Sequence, residues 1–512
     1  MATVRWWALV LVVLGCCLRC YGLGEKLFWH DEVFTGLAIA SSSPAQVQAA
    51  VFDGRDHSRE ELLAHQFPRA GTGVLQTIQV MAEKQFLHPP LYFVSARAWT
   101  KIVGPSIGGL RGFSAFAGIL SLPLVFLLCR ELDRTLPFCW IAVGLVAISP
   151  LQLVYSQEAR QYALWIDLLL LANWLLLVAA RWDVQDAWRS RAVFGLYGGV
   201  LTMALYTHLL SVLVVGAHAL FVVVAERPRR PAVVRRFAVA IAMAMTLFSP
   251  WACVIIVTRL HDWVSWVTVP ITPYRWIGRT AVAWSRPFFD LEYEWIVCGT
   301  IPLACVAVCV VWVAVRAPRR LKWLFLPLAA LGILPFVLAD LFSGGWRTGV
   351  IRFQFPAVLA IQLCVAYALS HWVQSQRRAW RLIGITSLLV FTMSGMVSVI
   401  TYARAPIWWN KATAPEIYDD ARRINEQPAA RLIAGSHGGR SFGDLMALVH
   451  LLDDHVTLRL VGEPAMPQLD DLAEVTFVWG VSAEMEDRLV AEGFALERVG
   501  AYELHRMVRV QH

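Results

Sequence analysis

Residues Trp6 to Glu32 read WWALVLVVLGCCLRCYGLGEKLFWHDE. The run 6–23 is apolar except for Arg19 near its far end, and about 20 such residues suffice to cross a bilayer as a helix. Arg5 precedes it, and Trp29, His30, Asp31 and Glu32 follow. A spanning helix that delivers two adjacent carboxylates to one face of a membrane is the feature on which the fold reading turns. Gly22, Leu23 and Gly24 also make a small-x-small site of the kind found after a cleaved signal peptide. The many further spans favour a retained helix.

Hydrophobic residues make up 58% of the 512-residue chain and charged residues 16%. Soluble proteins have roughly 45–50% and about 25%. That excess excludes a soluble enzyme, a disordered chain and a disulfide scaffold, and it leaves a polytopic membrane protein. The 23 Trp fit that class, because Trp collects at membrane interfaces. The ten Cys all lie in or at the ends of apolar runs, as small packing residues do, and none follows residue 402. They give no sign of disulfides or of a metal site. Further apolar runs at 110–129, 136–155, 161–180, 192–207, 209–225, 237–258, 295–315, 323–343, 353–372 and 382–401 bring the total to about eleven spans.

Orientation follows from the linkers. Arg130 and Arg134, then Arg181, Arg189 and Arg191, then Arg227, Arg229, Arg230, Arg235 and Arg236 fall in every second linker. Arg316, Arg319, Arg320 and Lys322, then Arg377, Arg378 and Arg381, continue the series. Arg-rich linkers face the cytoplasm, so the net charge of +8 reports topology and not a nucleic-acid partner. With the N-terminus inside, the register holds only if the run 86–104 stays in the interface, with Arg97 and Lys101 near headgroups. The expected architecture is a membrane domain over 1–402, with outward loops at 24–109 and 259–294, and an outward C-terminal domain over 403–512. Trp263, Trp266, Trp276 and Trp284 mark the second loop as interfacial helices. In the C-terminal region, helix-like segments (415–427, 443–454, 483–493) alternate with strand-like ones (431–436, 456–461, 475–479, 496–508). That pattern is a small α/β domain. Gly438-Gly439 reads as a turn there, with no phosphate-binding glycine fingerprint.

The polar residues that could carry chemistry collect on the outward face. Asp31 and Glu32 are either a solvated stop to the first span or a base beside a positioning carboxylate. A carboxyl near hydrocarbon has raised proton affinity, which suits a general base. His88, Pro89, Pro90, Leu91 and Tyr92 begin a helix, since Pro tolerates the first turn; His88 and that helix start also suit an anion such as phosphate. Glu158, Arg160 and Tyr162 join two spans, where they pair with headgroups or line a site. His208, in Tyr206-Thr207-His208, is a structural residue of an outer turn or a ligand-facing one. Arg352 opens a span from outside, and Asp340 ends the one before it; ionisable groups at membrane depth are functional candidates. A carboxylate with Arg and His near the headgroup plane suits group transfer from a membrane-embedded phosphate donor to an external nucleophile.

In order along the chain, Trp29-x-Asp31-Glu32, the His88-Pro-Pro-Leu-Tyr92 run, the Ser156-Gln-Glu-Ala-Arg-Gln-Tyr162 run, Tyr206-Thr-His208 and Arg352-Phe before Pro356 resemble the motifs of the GT-C glycosyltransferases. The branch they resemble is the family 39 protein mannosyltransferase-like proteins, which includes the lipid A aminoarabinose transferases. The resemblance covers residues 1 to about 400. It implies a GT-C fold in a bacterial inner membrane with a periplasmic active site, and a polyprenyl-phosphate-linked sugar as donor. It implies Asp31 as catalytic base, Glu32 as a positioning group, and Arg352 and His88 on the donor phosphate. Glu158 matches a second acidic residue that in some members holds substrate or metal, so the resemblance leaves room for a divalent metal ion at Asp31 and Glu158. No ligand spacing in the sequence demands one. Tyr92, Arg160, Tyr162 and His208 complete the implied substrate-binding set. Aminoarabinose transferases commonly carry Lys where His88 stands, and protein mannosyltransferases carry an inserted luminal domain that this chain lacks. The acceptor is a lipid, a glycan or a protein.

The expected reaction is inverting, in a monomer. The readings left beside it are an O-antigen polymerase or ligase using diphosphate-linked glycans, and a lipid-linked sugar flippase or transporter. The polymerases place Arg and His in a late loop, and a transporter needs broken helices or midplane charges.

Overall fold

The structure is a computed structural model. It describes residues 2–69, 71–226, 231–258, 265–291, 296–411, 413–435, 438–462, 464–469, 472–473, 475–500 and 503–510. The chain forms two compact units. The membrane unit comprises Met1–Tyr21, Gln85–Tyr92 and Arg111–Arg404; the α/β unit comprises Gly22–Lys84, Phe93–Leu110 and Ala405–His512.

In the membrane unit the expected apolar runs all fall on helices. Among the described residues, eight are long and apolar enough to cross a bilayer, or nine when one bent pair counts as a single span. The chain is therefore a multi-pass helical membrane protein. The two expected spans outside that test lie on the helices Ala187–Leu205 and Ser211–Phe221, the latter continued by a π-helical turn at Val222–Glu226. The bent pair replaces the single span expected at 136–155: Leu136–Ala147 and Pro150–Ser156 meet at 59°. Pro150 supplies no N–H for the preceding turn and its ring clashes with it. Ser149 caps the second piece by accepting from Gln152 N, and its Oγ donates to Pro287 O at 2.7 Å. Gln362 Nε2 reaches the same hydroxyl at 3.0 Å, so the break sits in a satisfied polar pocket. A second buried polar chain, Tyr197 to His218 to Asn173, ties three helices together.

Among its described residues the α/β unit holds one six-stranded sheet, ordered β1-β3-β2-β4-β6-β5. The strands are β1 (Asp53–His57), β2 (Ala430–Gly435), β3 (Thr457–Val461), β4 (Val475–Trp479), β5 (Phe494–Arg498) and β6 (Leu504–Arg509). β3, β2 and β4 run parallel, while β1, β5 and β6 are antiparallel to their neighbours. The parallel strands are buried along most of their length, as strands covered on both faces are. Helices Ala414–Asn425, Gly438–Leu451 and Ala483–Ala491 complete the α/β alternation.

Four expectations change here. The sheet is not confined to residues beyond 402, because β1 comes from the first outward loop. Its sequence, Asp53-Gly54-Arg55-Asp56-His57, shows no apolar alternation; Asp56 fixes it by accepting from Arg459 at 2.7 Å and Arg431 at 2.9 Å. The strand expected at 496–508 is the hairpin β5–β6, and Gly438-Gly439 opens a helix instead of making a turn. Helix Leu91–Val103, at 13 residues, is far short of a span, as expected. Its Arg97, however, is buried inside the α/β unit and not set at the headgroups. It donates to Thr72 O and Oγ1, both at 2.7 Å, to Ser41 Oγ and to Ile39 O. A guanidinium has five donors in a fixed fork, and here they tie two loops to one helix. In the second loop, helix Pro273–Ser285 contains Trp276 and Trp284, while Trp263 lies outside the described residues.

Candidate functional site

In the α/β unit, Trp29 is the N-cap of helix His30–Ile39. Glu32, wholly buried, reaches back to accept from Trp29 N at 3.4 Å, the carboxylate half of a capping box. Asp31 is partly exposed in that first turn, where a negative charge is favoured by the helix dipole. His30 Nδ1 lies 3.0 Å from Asp444 Oδ1, and Lys411 Nζ stands 4.6 Å over the Trp29 ring. The capping residue was legible in the sequence as a possible positioning acid. The Asp444 contact was not, since it joins residues 414 apart.

In the membrane unit, the bend after helix Pro150–Ser156 brings the other predicted residues together. Gln157 Nε2 donates to Leu18 O and Tyr21 O, anchoring the bend to the end of the first span. Arg160 N then bonds Glu158 O at 2.7 Å, and both side chains are buried. Arg160 Nη2 donates to His88 Nε2 at 3.4 Å, and Gln161 Nε2 lies 3.3 Å from His88 Nδ1. A neutral imidazole cannot accept at both nitrogens. Turning the Gln161 amide over lets His88 Nδ1–H donate to Gln161 Oε1, an oxygen otherwise unpaired among the described residues. Gln161 is thus a site residue that its sequence context does not single out. The segment bearing His88 is held by Leu91 N bonding Tyr206 O at 3.0 Å. Tyr92 Oη meets Ser114 Oγ at 2.8 Å, and Ser114 in turn donates to Arg160 O.

His208 stacks flat on Trp165, ring centroids 4.0 Å apart, and Tyr162 tilts against it at 5.9 Å. Leu210 N donates to His208 Nδ1 at 3.3 Å, so the ring proton sits on Nε2. Burial, then the charges of Arg160 and Arg352, push its pKa down to about 3. That places His88, Arg160, His208 and Arg352 in one electropositive neighbourhood, near Glu158 and Tyr162. Arg352 sits in the short helix Ile351–Gln354 that leads into Pro356. Asp340 is structural. It accepts from Arg347 N, Thr348 N, Thr348 Oγ1 and Trp276 Nε1, and pairs with the Arg347 side chain. These bonds organise the loop before Arg352.

The His208 shift has a measurable consequence. In the unfolded chain a His titrates near ~6.5, so between about 6.5 and 3 the unfolded state binds more protons. The stability due to neutral His208 is complete above pH ~6.5 and declines as pH falls toward 3. Thermal unfolding of His208→Gln in detergent should show a weaker loss of Tm between pH 7 and 5 than wild type; equal slopes would contradict it.

Among the described residues no group of three or more His, Cys, Asp or Glu side chains gathers as a metal site. Asp31 belongs to the α/β unit and Glu158 to the membrane unit. No step below is routed through a metal ion.

No protein-family model matches the sequence. No curated protein matches it either. Solved structures do. ArnT from Cupriavidus metallidurans bound to undecaprenyl phosphate aligns at 12% identity over 98% of each chain, with a TM-score of 0.52. The same protein in the apo state aligns at 12% identity over 99% of this chain and 98% of that one, with a TM-score of 0.55. Over nearly its whole length the chain shares the fold of ArnT.

Proposed function

We propose that the protein is a polyprenyl-phosphate-sugar-dependent glycosyltransferase acting on the periplasmic face of a bacterial inner membrane. The observation that carries this reading is the electropositive cluster of His88, Arg160, His208 and Arg352 in the membrane unit. Such a cluster suits a lipid-linked phosphate, and ArnT, a solved protein of like fold, was solved bound to undecaprenyl phosphate. The Arg-rich linkers on the other face support the orientation, with the N-terminus cytoplasmic and the α/β unit periplasmic.

In the proposed step the acceptor hydroxyl attacks the anomeric carbon opposite the phosphate. Its proton goes to the Asp31 carboxylate, the new C–O bond forms, and the bond to the phosphate oxygen breaks with its electron pair. The leaving polyprenyl monophosphate needs no strong acid. Its charge is met by Arg352 and Arg160, with neutral His208 donating through Nε2 and His88 holding the Arg160 guanidinium. Glu32 acts by holding the helix turn that bears Asp31, and Glu158, Tyr92 and Tyr162 line the substrate side. The acceptor is a lipid, a glycan or a protein with a free hydroxyl.

The test is release of polyprenyl monophosphate by the purified protein from a panel of polyprenyl-phosphate sugars. Release of diphosphate from diphosphate-linked glycans would favour the polymerase or ligase reading. Movement of lipid across vesicles without bond cleavage would favour a flippase.

A further inference from the structure

His30 and Asp444 make a pair that the proposed reaction leaves unused. Asp444 is 1% exposed in its side chain, and His30 is 23% exposed. A buried carboxylate is only an acceptor, so the His30 nitrogen facing it, Nδ1, carries the ring proton. In the neutral ring Nε2 then holds the lone pair, and it makes no hydrogen bond among the described residues. The surroundings hold this geometry. Thr413 Oγ1 donates to Asp444 Oδ1 at 3.3 Å. Thr413 itself sits at φ 66, a left-handed conformation that a β-branched residue adopts only under constraint. The Phe34 ring flanks His30 at 5.1 Å. Gly443 leaves the space, for a Cβ there would stand 2.5 Å from His30 Nδ1. A fixed tautomer, a partly open second nitrogen and local strain, next in sequence to Asp31, exceed what a simple tether requires.

We propose that His30 touches the acceptor in the transfer reaction, its Nε2 taking a hydrogen bond from an O–H or N–H of that molecule, and that Asp444 is its positioning residue. The inference rests on the transferase reading above. It gives the C-terminal segment a part in the chemistry beside Asp31, because Asp444 comes from helix Gly438–Leu451. It also narrows the acceptor to a molecule with a polar hydrogen beside the reacting hydroxyl, such as a sugar or other polyol.

The experiment compares full-length wild type, Asp444→Asn and Gly443→Ala in nanodiscs. It reads the ¹⁵N tautomer state of His30, assigned by difference against His30→Gln, and polyprenyl monophosphate release. In wild type Nδ1 should be protonated and Nε2 bare. Asp444→Asn keeps the shape but can donate to Nδ1, which moves the proton to Nε2. Release should then fall roughly 10²-fold with undecaprenyl phosphate binding unchanged. Gly443→Ala should also displace the ring and lower release. A wild-type His30 protonated at Nε2, or an Asp444→Asn protein with wild-type release, overturns the inference and spares the transferase reading. A wild type that releases polyprenyl monophosphate from no donor overturns both.

Discussion

Asp31→Asn should leave the protein folded in the bilayer and lower sugar transfer by about 10²–10⁴-fold, the range set by a single general base. Asn matches Asp in shape, and the cap of helix His30–Ile39 is made by Glu32 and not by Asp31. What the change removes is the carboxylate proposed to take the acceptor proton as the nucleophile forms. It also removes a negative charge from a helix start, which costs about 0.3–1 kcal/mol, small beside the catalytic loss. Thermal unfolding should therefore move little while polyprenyl phosphate release nearly stops. A folded Asp31→Asn protein with unchanged release would remove Asp31 from the chemistry.

Arg352→Ala should lower release by about 10²–10³-fold, as loss of a donor aimed at developing charge does. The same change has a second readout. Arg352 is one of the two charges that lower the His208 pKa, so removing it should raise that pKa. Arg352→Lys restores the charge without the planar fork, and should recover part of the release and most of the His208 shift. Loss of release with no movement of the His208 titration would place Arg352 outside the His208–Arg160 neighbourhood.

The legible part of the fold was the part written in short-range pattern. Spans are read from runs of apolar residues, and each expected run falls on helix, the run 136–155 on two. The break at Ser149-Pro150 is visible as a proline, yet the apolar run continues through it and hides the bend. β1 could not be read at all. Its five residues carry no apolar alternation, and they join the sheet through ion pairs to Arg431 and Arg459, hundreds of residues away. The site divides in the same way. His88, Arg160, His208 and Arg352 stand out because charges beside apolar spans are rare. Arg97 stands out for the same reason, yet it is a structural clasp, and Asp340 is another. The residue that orients His30 lies in a soluble-looking helix, where an Asp is ordinary. Only the fold brings it there.

The measurement that tests the central claim is incubation of the purified wild-type protein with undecaprenyl-phosphate-linked sugars and an envelope lipid and glycan extract as acceptor source. The account predicts release of undecaprenyl monophosphate, stoichiometric with sugar transferred, with the anomeric configuration inverted. No release from any monophosphate-linked donor would contradict it, as would release with retained configuration.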